Sequence, residues 1–573
     1  MLGYDLVIRG GTVVDGLGAE PFTADVAIKD GVIVAVGAVN DRGDKEIDAT
    51  GCDVTPGFVD VHTHYDGQIT WENRMAPSSN HGVTTVVMGN CGVGFAPVRT
   101  PDHELVVKLM EGVEDIPEVV MTGGVPWNWN SFPDYLDALE NRHADVDFAA
   151  QIPHSPLRVF VMGQRGVDLE PATASDLAEM RRLTTEAIRS GALGVTTSRH
   201  LFHRFRSGEF APSIGTGEEE LQALALGLKD AGTGVFQCIP RLDSPVETEM
   251  GVLRDVARHS GRSVNFSLVT VDDNFNGYLA ALEAATAEGL AIKAHFAPRP
   301  TGVLFGLDLS YHPFSLHPSF REIAHAPLAD KIARMRDPEF RRRLLSEKAE
   351  NLNPAFVAIV SLREHIFLLD NPLDYHFRLE DSLGARASLL GLPEEEVIYD
   401  ALLENEGSSI LGLFATEPGS YIQATHPLVE RDDAVVGLGD GGAHYGMICG
   451  AAYTTYMLAQ RIGGALGRSL PALIQSMTGR SAASVGLNDR GVIAPGYKAD
   501  LKVIELDSLV LPRPTIVRDL PAGGKRLFQR AEGYRATVLS GIVTQCNDAP
   551  TGAFLGRLVR GARGAQAAPL VVA

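Results

Sequence analysis

Short apolar runs alternate with longer amphipathic stretches through the central part of the chain. This alternation is typical of βα units, in which helices cover a parallel sheet. Eight apolar runs are predicted strands, at residues 57–64, 84–89, 147–153, 192–197, 234–239, 263–268, 291–296 and 434–440. Eight is the strand count of a (β/α)8, or TIM-like, barrel, in which the chemistry takes place at the C-terminal ends of the strands. The pattern therefore predicts an α/β protein of this class.

The two ends of the chain have a different pattern, made of short strand-like runs punctuated by glycine. Residues 4–54 include Asp30-Gly31, a hairpin signal between two apolar runs. Residues 491–504 contain another strand–turn–strand stretch. Both ends are therefore predicted to form small β units outside the central sheet.

The predicted seventh and eighth strands are separated by the long segment 299–431. This segment is too long for a βα loop and predicts an insertion. We interpret it as a cover over the barrel mouth that can act as a lid. A structural or oligomer-forming subdomain explains the segment equally well, and a homo-oligomer is compatible with the sequence.

Composition and charge limit the binding partners and the cellular compartment that we expect for this protein. The 573 residues carry a net charge of −22 at pH 7, which argues against nucleic acid or an anionic membrane surface as a partner. The five cysteines are scattered and form no Cys-x-x-Cys pair, which favours a reducing compartment. The sequence has no signal-peptide pattern and no apolar run of membrane-spanning length, so we expect a cytoplasmic protein.

The first predicted strand ends in two histidines, His62 and His64, separated by one residue. Residues i and i+2 of a strand point to the same face, so both imidazoles project together. Neutral imidazole is the commonest metal ligand in proteins, and this pair supplies half of a four-ligand site. A Pro-Gly pair before the strand and Asp60 within it favour this interpretation over two polar residues at a strand end.

The segment 56–64, Pro-Gly-Phe-Val-Asp-Val-His-Thr-His, resembles the first barrel strand of the amidohydrolase superfamily. The segment 82–92, which contains a cysteine, resembles the second strand of the N-acyl-D-amino-acid deacylase (D-aminoacylase) branch. The resemblance extends from about Tyr4 to about Arg560. It implies a metal-dependent barrel at 55–486 and a small discontinuous β-sandwich domain built from 1–54 and 487–573.

The same resemblance implies a set of metal ligands, namely His62, His64, Cys91 and Asp440. Zinc is the expected metal, as one or two divalent ions, because thiolate and imidazole are good zinc ligands. Asp440 lies among glycines at the end of the eighth predicted strand. A carboxylate there can bind the metal and also take a proton from the attacking water, so Asp440 is the predicted catalytic residue.

The chain departs from this branch at two predicted strand ends. The fifth and sixth strands end near Gln237 and Leu268, where D-aminoacylases have histidines. Leucine cannot bind a metal, and glutamine is a poor zinc ligand. Three outcomes stay open: a mononuclear site, replacement ligands from His200, His203 or His295, and loss of catalysis.

Several cationic side chains are predicted to contact substrate. His154 follows the third strand and resembles a family position that orients or contacts substrate. Arg199 and Arg204 lie after the fourth strand, and Arg299 after the seventh; each offers a bidentate partner for a carboxylate. His444, four residues after Asp440, is a further candidate.

These observations predict hydrolysis of a non-peptide C–N bond by metal-activated water. The resemblance implies a small N-acylated substrate, most directly an N-acyl-D-amino acid. Hydrolysis of a cyclic amide or imide, or of another small amide, is a second hypothesis. A catalytically decayed scaffold on the same fold is the hypothesis from a different class.

Overall fold

The computed structural model describes residues 3–268, 274–300, 302–350, 354–361, 365–369, 377–414, 416–462 and 469–561. Parts of the predicted insertion, namely residue 301 and segments 351–353, 362–364, 370–376 and 415, lie outside the described residues. Within the described part of the chain, no helix has both the length and the apolarity needed to cross a membrane.

The strands occupy both ends and the centre of the chain. They are β1 (Tyr4–Val13), β2 (Phe22–Lys29), β3 (Val32–Gly37), β4 (Gly43–Asp48), β5 (Asp53–Pro56), β6 (Phe58–Asp60), β7 (Val83–Met88), β8 (Asp147–Ala150), β9 (Ile152–Pro153), β10 (Gly194–Ser198), β11 (Val235–Ile239), β12 (Val264–Leu268), β13 (Ile292–Phe296), β14 (Gly302–Phe305), β15 (Ile366–Leu368), β16 (Leu411–Phe414), β17 (Ala434–Val436), β18 (Leu501–Ile504), β19 (Thr515–Val517), β20 (Arg526–Phe528), β21 (Tyr534–Leu539), β22 (Ile542–Cys546) and β23 (Ala549–Pro550).

The helices lie between the central strands and in the insertion. They are α1 (Gln68–Trp71), α2 (His103–Glu114), α3 (Glu118–Gly124), α4 (Phe132–Glu140), α5 (His154–Met162), α6 (Gln164–Val167), α7 (Ala174–Arg189), α8 (Glu218–Ala231), α9 (Val246–Ser260), α10 (Phe275–Ala287), α11 (Pro318–Arg321), α12 (Leu328–Met335), α13 (Pro338–Leu345), α14 (Pro354–Ser361), α15 (Leu383–Leu390), α16 (Glu394–Gly407), α17 (Pro418–Thr425), α18 (Tyr453–Ile462), α19 (Leu470–Met477) and α20 (Gly479–Ser484).

Each of the eight predicted central runs contains a strand. The strands form a six-stranded sheet in the order β17-β13-β12-β11-β10-β9 and a three-stranded sheet in the order β6-β7-β8, with every pair parallel. Only Gln151 separates β8 from β9, so the third run belongs to both sheets. All six residues of β7 are buried, as expected for a parallel strand covered on both faces. The closed barrel itself remains a prediction, because the sheet pairing gives two sheets.

The chain ends meet in one nine-stranded sheet that contains β1–β5, β18 and β21–β23. The junction is the antiparallel pair of β5 with β18, in which Val54 faces Val503. Both valines are fully buried in a separate apolar cluster. This pairing supports the predicted association of the two ends, while the domain boundaries and the sandwich form stay predictions.

The insertion has a small antiparallel sheet in the order β14-β16-β15. Its helices and this sheet bury their own apolar cluster, which includes Phe305, Phe314, Phe340 and Ile398. The segment is therefore a packed unit rather than an extended loop. Its role as a lid or as an oligomer contact remains a prediction.

Lys502 in β18 is a charged residue with no solvent exposure. Its Nζ donates to Thr537 Oγ1 at 2.5 Å and lies 4.0 Å from the centre of the Tyr534 ring. Burial lowers the pKa of Lys502 to about 7, although the charge of Asp548 acts in the opposite direction. The charged ammonium is therefore poorly solvated in the folded protein.

Replacing Lys502 with methionine is expected to stabilise the protein at pH 7. An unfolded lysine has a pKa of about 10.4, so between pH 7 and about 10 the unfolded chain binds more protons than the folded one. The native lysine therefore destabilises the fold most at and below pH 7, and this effect fades as the pH rises. We expect K502M to raise the midpoint of thermal unfolding by a few degrees, or on the order of 1 kcal/mol, at pH 7 and by less at pH 10.

The exposed Lys45 of the same sheet provides the control, as K45M. Thermal melts followed by circular dichroism at both pH values measure the difference. An equal change in K502M and K45M, or a K502M gain that grows with pH, would contradict the buried-charge argument.

Candidate metal centre

Three metal-binding side chains converge just beyond the ends of β6 and β7. The ligand atoms of His62, His64 and Cys91 all lie within 4.8 Å of one another, and all three residues are buried. Cys91 Sγ is 3.3 Å from His62 Nε2 and 3.6 Å from His64 Nε2. The His-x-His pair and the cysteine predicted from the sequence are therefore brought to one point.

Asp440 completes this group from beyond the end of β17. Its Oδ1 lies 3.5 Å from His62 Nε2 and 3.9 Å from His64 Nε2. The backbone N–H of Asp440 donates to the carbonyl oxygen of His62 at 3.0 Å, which fixes the eighth strand end against the first. Gly442, at φ +88°, packs so closely on His64 that a Cβ would lie 2.7 Å from its carbonyl carbon.

These separations fit the edges of a metal coordination polyhedron. A tetrahedral zinc site with bonds of about 2.0–2.3 Å separates neighbouring ligand atoms by about 3.3–3.8 Å. The four measured separations run from 3.3 to 3.9 Å. Two imidazoles, one thiol and one carboxylate are also the ligand types that zinc prefers. The donor types therefore suit a divalent ion; His62, His64 and Cys91 have the mutual spacing of a metal site, and Asp440 lies beside both histidines.

The electrostatics of the group favour neutral histidines. Burial lowers the pKa of His62 to about 3, and it holds the pKa of His64 well below the usual range. Burial, together with the carboxylates of Glu114 and Asp440, raises the pKa of the Cys91 thiol well above its usual range. A thiolate at this position therefore needs a cation beside it.

The Asp440 carboxylate is 22% exposed and faces a cavity. Burial raises its pKa to about 7, while the positive charge of Arg299 acts to lower it. The aspartate is thus the member of the group with access to both the ligand cluster and the open space.

Gln237 is the middle residue of β11, two positions before the strand ends at Ile239. Its side-chain amide lies 2.9 Å from His62 Nδ1, on the side of the ring that faces away from Cys91. Gln151 links Gln237 to Asn90, whose amide also donates to the carbonyl oxygen of Thr63. Gln237 therefore holds the His62 ring in place and leaves its Nε2 directed toward Cys91. Leu268 at the end of β12 packs in the main apolar core.

The replacement ligands considered from the sequence have different positions. His200 and His203 line the cavity beside the cluster. His295 is fully buried in β13, and neither of its ring nitrogens has a hydrogen-bond partner within the described structure. His295 is not among the residues that line the cavity.

Three predicted substrate contacts have protein partners instead of a place on the cavity wall. His154 is buried, with Nδ1 2.8 Å from Thr197 Oγ1 and Nε2 2.8 Å from Glu220. Arg199 donates both Nε and Nη2 to the Glu249 carboxylate. Arg204 lies 3.7 Å from the centre of the Phe210 ring and donates to the carbonyl oxygens of Leu201 and Gly208.

The physical reason for these placements is that a buried polar or charged side chain requires a partner, and the fold supplies one to each of the three residues. Of the substrate contacts predicted above, His444 and Arg299 do line the cavity.

The cavity has a volume of about 330 Å³ and opens over the ligand cluster. Its polar lining residues include His62, Cys91, Asp440, His203, His444 and Arg299. Its apolar side includes Phe202, Ile239, Leu242, Leu438, Ile448 and Tyr453. Such a combination of an apolar wall and a few convergent polar groups is typical of small-molecule sites.

Glu114, the last residue of α2, is a member of the site that the sequence pattern did not indicate. Its side chain is 1% exposed, and Oε2 lies 3.5 Å from the Nε2 atoms of both His64 and His444. A sequence signal exists in retrospect. Acidic residues at a helix C-terminus oppose the helix dipole, so Glu114-Asp115 at that end is unfavourable unless it has a local function.

A family comparison matches residues 45–545 to the amidohydrolase family. The match covers most of the chain, and the chain belongs to this family. It is therefore a hydrolase of C–N bonds other than peptide bonds, as the two strand motifs predicted.

Among curated proteins, an uncharacterized protein of Mycobacterium tuberculosis is 26% identical over 88% of this chain and 84% of its own length. The D-aminoacylase of Alcaligenes xylosoxydans xylosoxydans is 36% identical over 34% of this chain and 37% of its own length. The N-acyl-D-aspartate deacylase of the same organism is 37% identical over 34% and 36%. The predicted relation to N-acyl-D-amino-acid deacylases is confirmed.

Solved structures show the same fold. A crystal structure of D-aminoacylase superimposes with a TM-score of 0.64 at 21% identity, covering 98% of this chain and all of the other. The N-acyl-D-glutamate deacylase of Bordetella bronchiseptica, solved with zinc and a phosphonate inhibitor, gives a TM-score of 0.65 at 20% identity over the same shares. The chain therefore has the amidohydrolase fold of these enzymes.

Replacing Cys91 with serine is expected to weaken metal binding by at least about tenfold, since even outer-shell changes cost this much. It should also remove the near-ultraviolet sulfur-to-metal charge-transfer band of the cobalt-substituted protein. Competition with a chromogenic chelator measures the affinity. The exposed Cys546 provides the control, as C546S. Unchanged affinity and an unchanged band in C91S would exclude the thiol from the metal site.

Proposed function

We propose that the protein is a zinc-dependent deacylase of N-acyl-D-amino acids or closely similar N-acylated small molecules. The observation that carries the proposal is the meeting of His62, His64 and Cys91 at metal-binding spacing, with Asp440 close to both histidines and on the cavity wall. One curated relative is an N-acyl-D-aspartate deacylase by name, and the N-acyl-D-glutamate deacylase structure contains zinc.

A divalent metal at this position supplies acidity to bound water and polarises a carbonyl group. The protein's own residues then have separate tasks. The carboxylate of Asp440 lines the cavity, where it can accept a proton from the attacking water and return it to the leaving amine. Gln237 fixes the ring of His62 through Nδ1.

Arg299 is the cavity residue best suited to the substrate carboxylate. It is 7% exposed, lines the cavity, and lies near enough to Asp440 to influence its pKa. A guanidinium can bind both oxygens of a carboxylate, which orients the neighbouring amide. Arg199 and Arg204 have protein partners and do not line the cavity. Their proposed role is to stabilise the loop after β10, which borders the site.

The apolar wall of the cavity suits a hydrophobic acyl group or amino-acid side chain. Its apolar lining residues include Phe202, Ile239, Leu438 and Ile448. Burying such a group removes apolar surface from water and binds the substrate without contact to the reacting atoms. A strongly polar side chain on the substrate would find no hydrogen-bond partners among these apolar residues.

The proposal includes the finer architecture. The eight parallel strands are taken to close into a barrel, supported by the hydrogen bonds from Asp440 N to His62 O and from His64 N to Gly441 O. The insertion is taken to cover the mouth, since Pro300 and Gly302 already line the cavity. A cytoplasmic location and a homo-oligomeric state are part of the same proposal.

Replacing Asp440 with asparagine should reduce kcat by about 10²–10⁴-fold, since asparagine cannot accept the proton. Metal content, measured by elemental mass spectrometry, should fall less than turnover, because three ligands remain. The control is D432N, in which a fully exposed aspartate just before β17 is changed in the same way. Equal turnover in D440N and the native protein would remove Asp440 from catalysis.

The substrate class is tested with a matched panel of N-acetyl and longer N-acyl amino acids in both D and L forms, together with hydantoin. We expect turnover of D forms, a preference for apolar side chains, and no reaction with the cyclic compound. Release of the free amine, followed by chromatography, measures each reaction. Exclusive turnover of hydantoin would overturn the deacylase proposal and favour a cyclic-amide hydrolase.

A further inference from the structure

Asn90 begins a chain of buried side-chain amides that ends at His62. Its Nδ2 lies 3.0 Å from the carbonyl oxygen of Thr63 and 2.8 Å from that of Val87. A carbonyl oxygen can only accept a hydrogen bond, so the nitrogen of Asn90 faces this pair and its Oδ1 points the other way. The backbone therefore fixes the orientation of the first amide.

Each later amide takes its orientation from the one before it. Gln151 Nε2 donates to Asn90 Oδ1 at 3.2 Å and to Gln237 Oε1 at 2.9 Å. If the Gln151 amide were turned over, its oxygen would face two other acceptor oxygens, so its nitrogen must take this place. Gln237 thus presents its oxygen to Gln151 and its Nε2 to His62 Nδ1, at 2.9 Å. All four residues are buried, so bulk water does not supply alternative partners.

The direction of these hydrogen bonds decides which nitrogen of a neutral His62 carries the proton. An amide N–H can only donate, so Nδ1 of the ring accepts, and the proton of the neutral ring is on Nε2. Nε2 lies 3.3 Å from Cys91 Sγ and 3.5 Å from Asp440 Oδ1. The amide chain therefore directs an N–H group at the side chains that are proposed to bind zinc.

A metal ion at His62 requires the opposite arrangement. A neutral imidazole binds a metal through a nitrogen that carries no proton, and a ligand histidine ordinarily donates its other N–H to an acceptor. Binding through Nε2 would require the ring to lose that proton to water and to gain one at Nδ1, with no net change in protons. The Gln237 amide would have to turn over to accept from Nδ1, and its nitrogen would then face the nitrogen of Gln151. One hydrogen bond of the chain would be lost.

We propose that the amide chain of Asn90, Gln151 and Gln237 opposes metal binding at His62 and thereby sets the metal affinity of the site. Gln237 is then a positioning residue that acts through the tautomer of His62. This inference deepens the proposed function and rests on it, because it requires an ion bound by His62 Nε2. A weakened site fills according to the concentration of free metal, so the supply of metal would control how much of the protein is active.

The direct test is the position of the proton on His62 in the whole protein. Neutron diffraction from crystals of the deuterated protein locates deuterium on the ring and distinguishes the nitrogen of each amide from its oxygen. We expect deuterium on Nε2 after treatment with chelator. After loading with zinc, we expect deuterium on Nδ1 and a Gln237 amide that has turned over. Deuterium on Nδ1 in the chelated protein would overturn the inference.

Replacing Gln151 with methionine tests the effect on affinity without a change in charge. Q151M removes the donor that holds Gln237 Oε1, so Gln237 can turn its oxygen toward His62 Nδ1. We expect zinc to bind about fivefold to tenfold more tightly, which is the effect of about one net hydrogen bond. Competition with a chromogenic chelator measures the affinity, and thermal melts in chelator report the fold. The control is Q164M, which changes an exposed glutamine and should bind zinc as the native protein does.

Replacing Gln237 with glutamate provides a second variant. A carboxylate accepts hydrogen bonds both from Gln151 Nε2 and from a protonated His62 Nδ1, so Q237E removes the conflict. We expect tighter zinc binding, by about tenfold or more, and deuterium on Nδ1 even after chelation. The added charge alone would also tighten binding, so the position of the proton is the deciding measurement. Deuterium that stays on Nε2 in chelated Q237E would contradict the inference.

The outcomes are distinguishable from failure of the proposed function. Unchanged or weaker zinc binding in Q151M, with a normal melt, would overturn the opposing role of the amide chain and leave the deacylase proposal standing. A native protein that binds no zinc would overturn both proposals.

Discussion

The functional site depends on the balance of charge within one cluster of buried side chains. Cys91 and Glu114 are buried carriers of potential negative charge, Asp440 stands beside them, and two neutral histidines complete the group. Without a cation, burial drives the thiol and the carboxylates toward their protonated forms and keeps His62 and His64 neutral. With a cation, the same donors become ligands at spacings that already suit one. A cation bound among these groups would balance their negative charge.

The central sheets provide the rigidity that this arrangement requires. Ligands after β6, β7 and β17 come from strand ends whose residues are fully buried, and backbone hydrogen bonds join the first and last of these ends. A network of side-chain amides, from Asn90 through Gln151 to Gln237, then reaches the outer nitrogen of His62. These contacts hold the clustered side chains in place without being part of the cluster, and outer residues of this kind are known to tune metal sites.

The contacts in the structure explain where the sequence departs from the deacylase pattern. Gln237 contacts the ring of His62, a proposed metal ligand, and Leu268 packs in the apolar core. Arg199, which follows β10, does not contact the cavity because its guanidinium forms an ion pair with Glu249. On the other side of the cluster, Glu114 at the end of α2 lies 3.5 Å from both His64 and His444.

The sequence by itself determined the features that are local or repetitive. Period-two spacing placed His62 and His64 on one face, the alternation of runs located the central strands, and two short motifs indicated the amidohydrolase family. Only the tertiary structure decided the rest. Glu114 ends an amphipathic helix, and its approach to His64 and His444 depends on segments far from that helix in the sequence. The partners of His154 and Arg199 likewise come from distant segments. Contacts of this kind depend on how the elements pack, and local sequence does not encode packing.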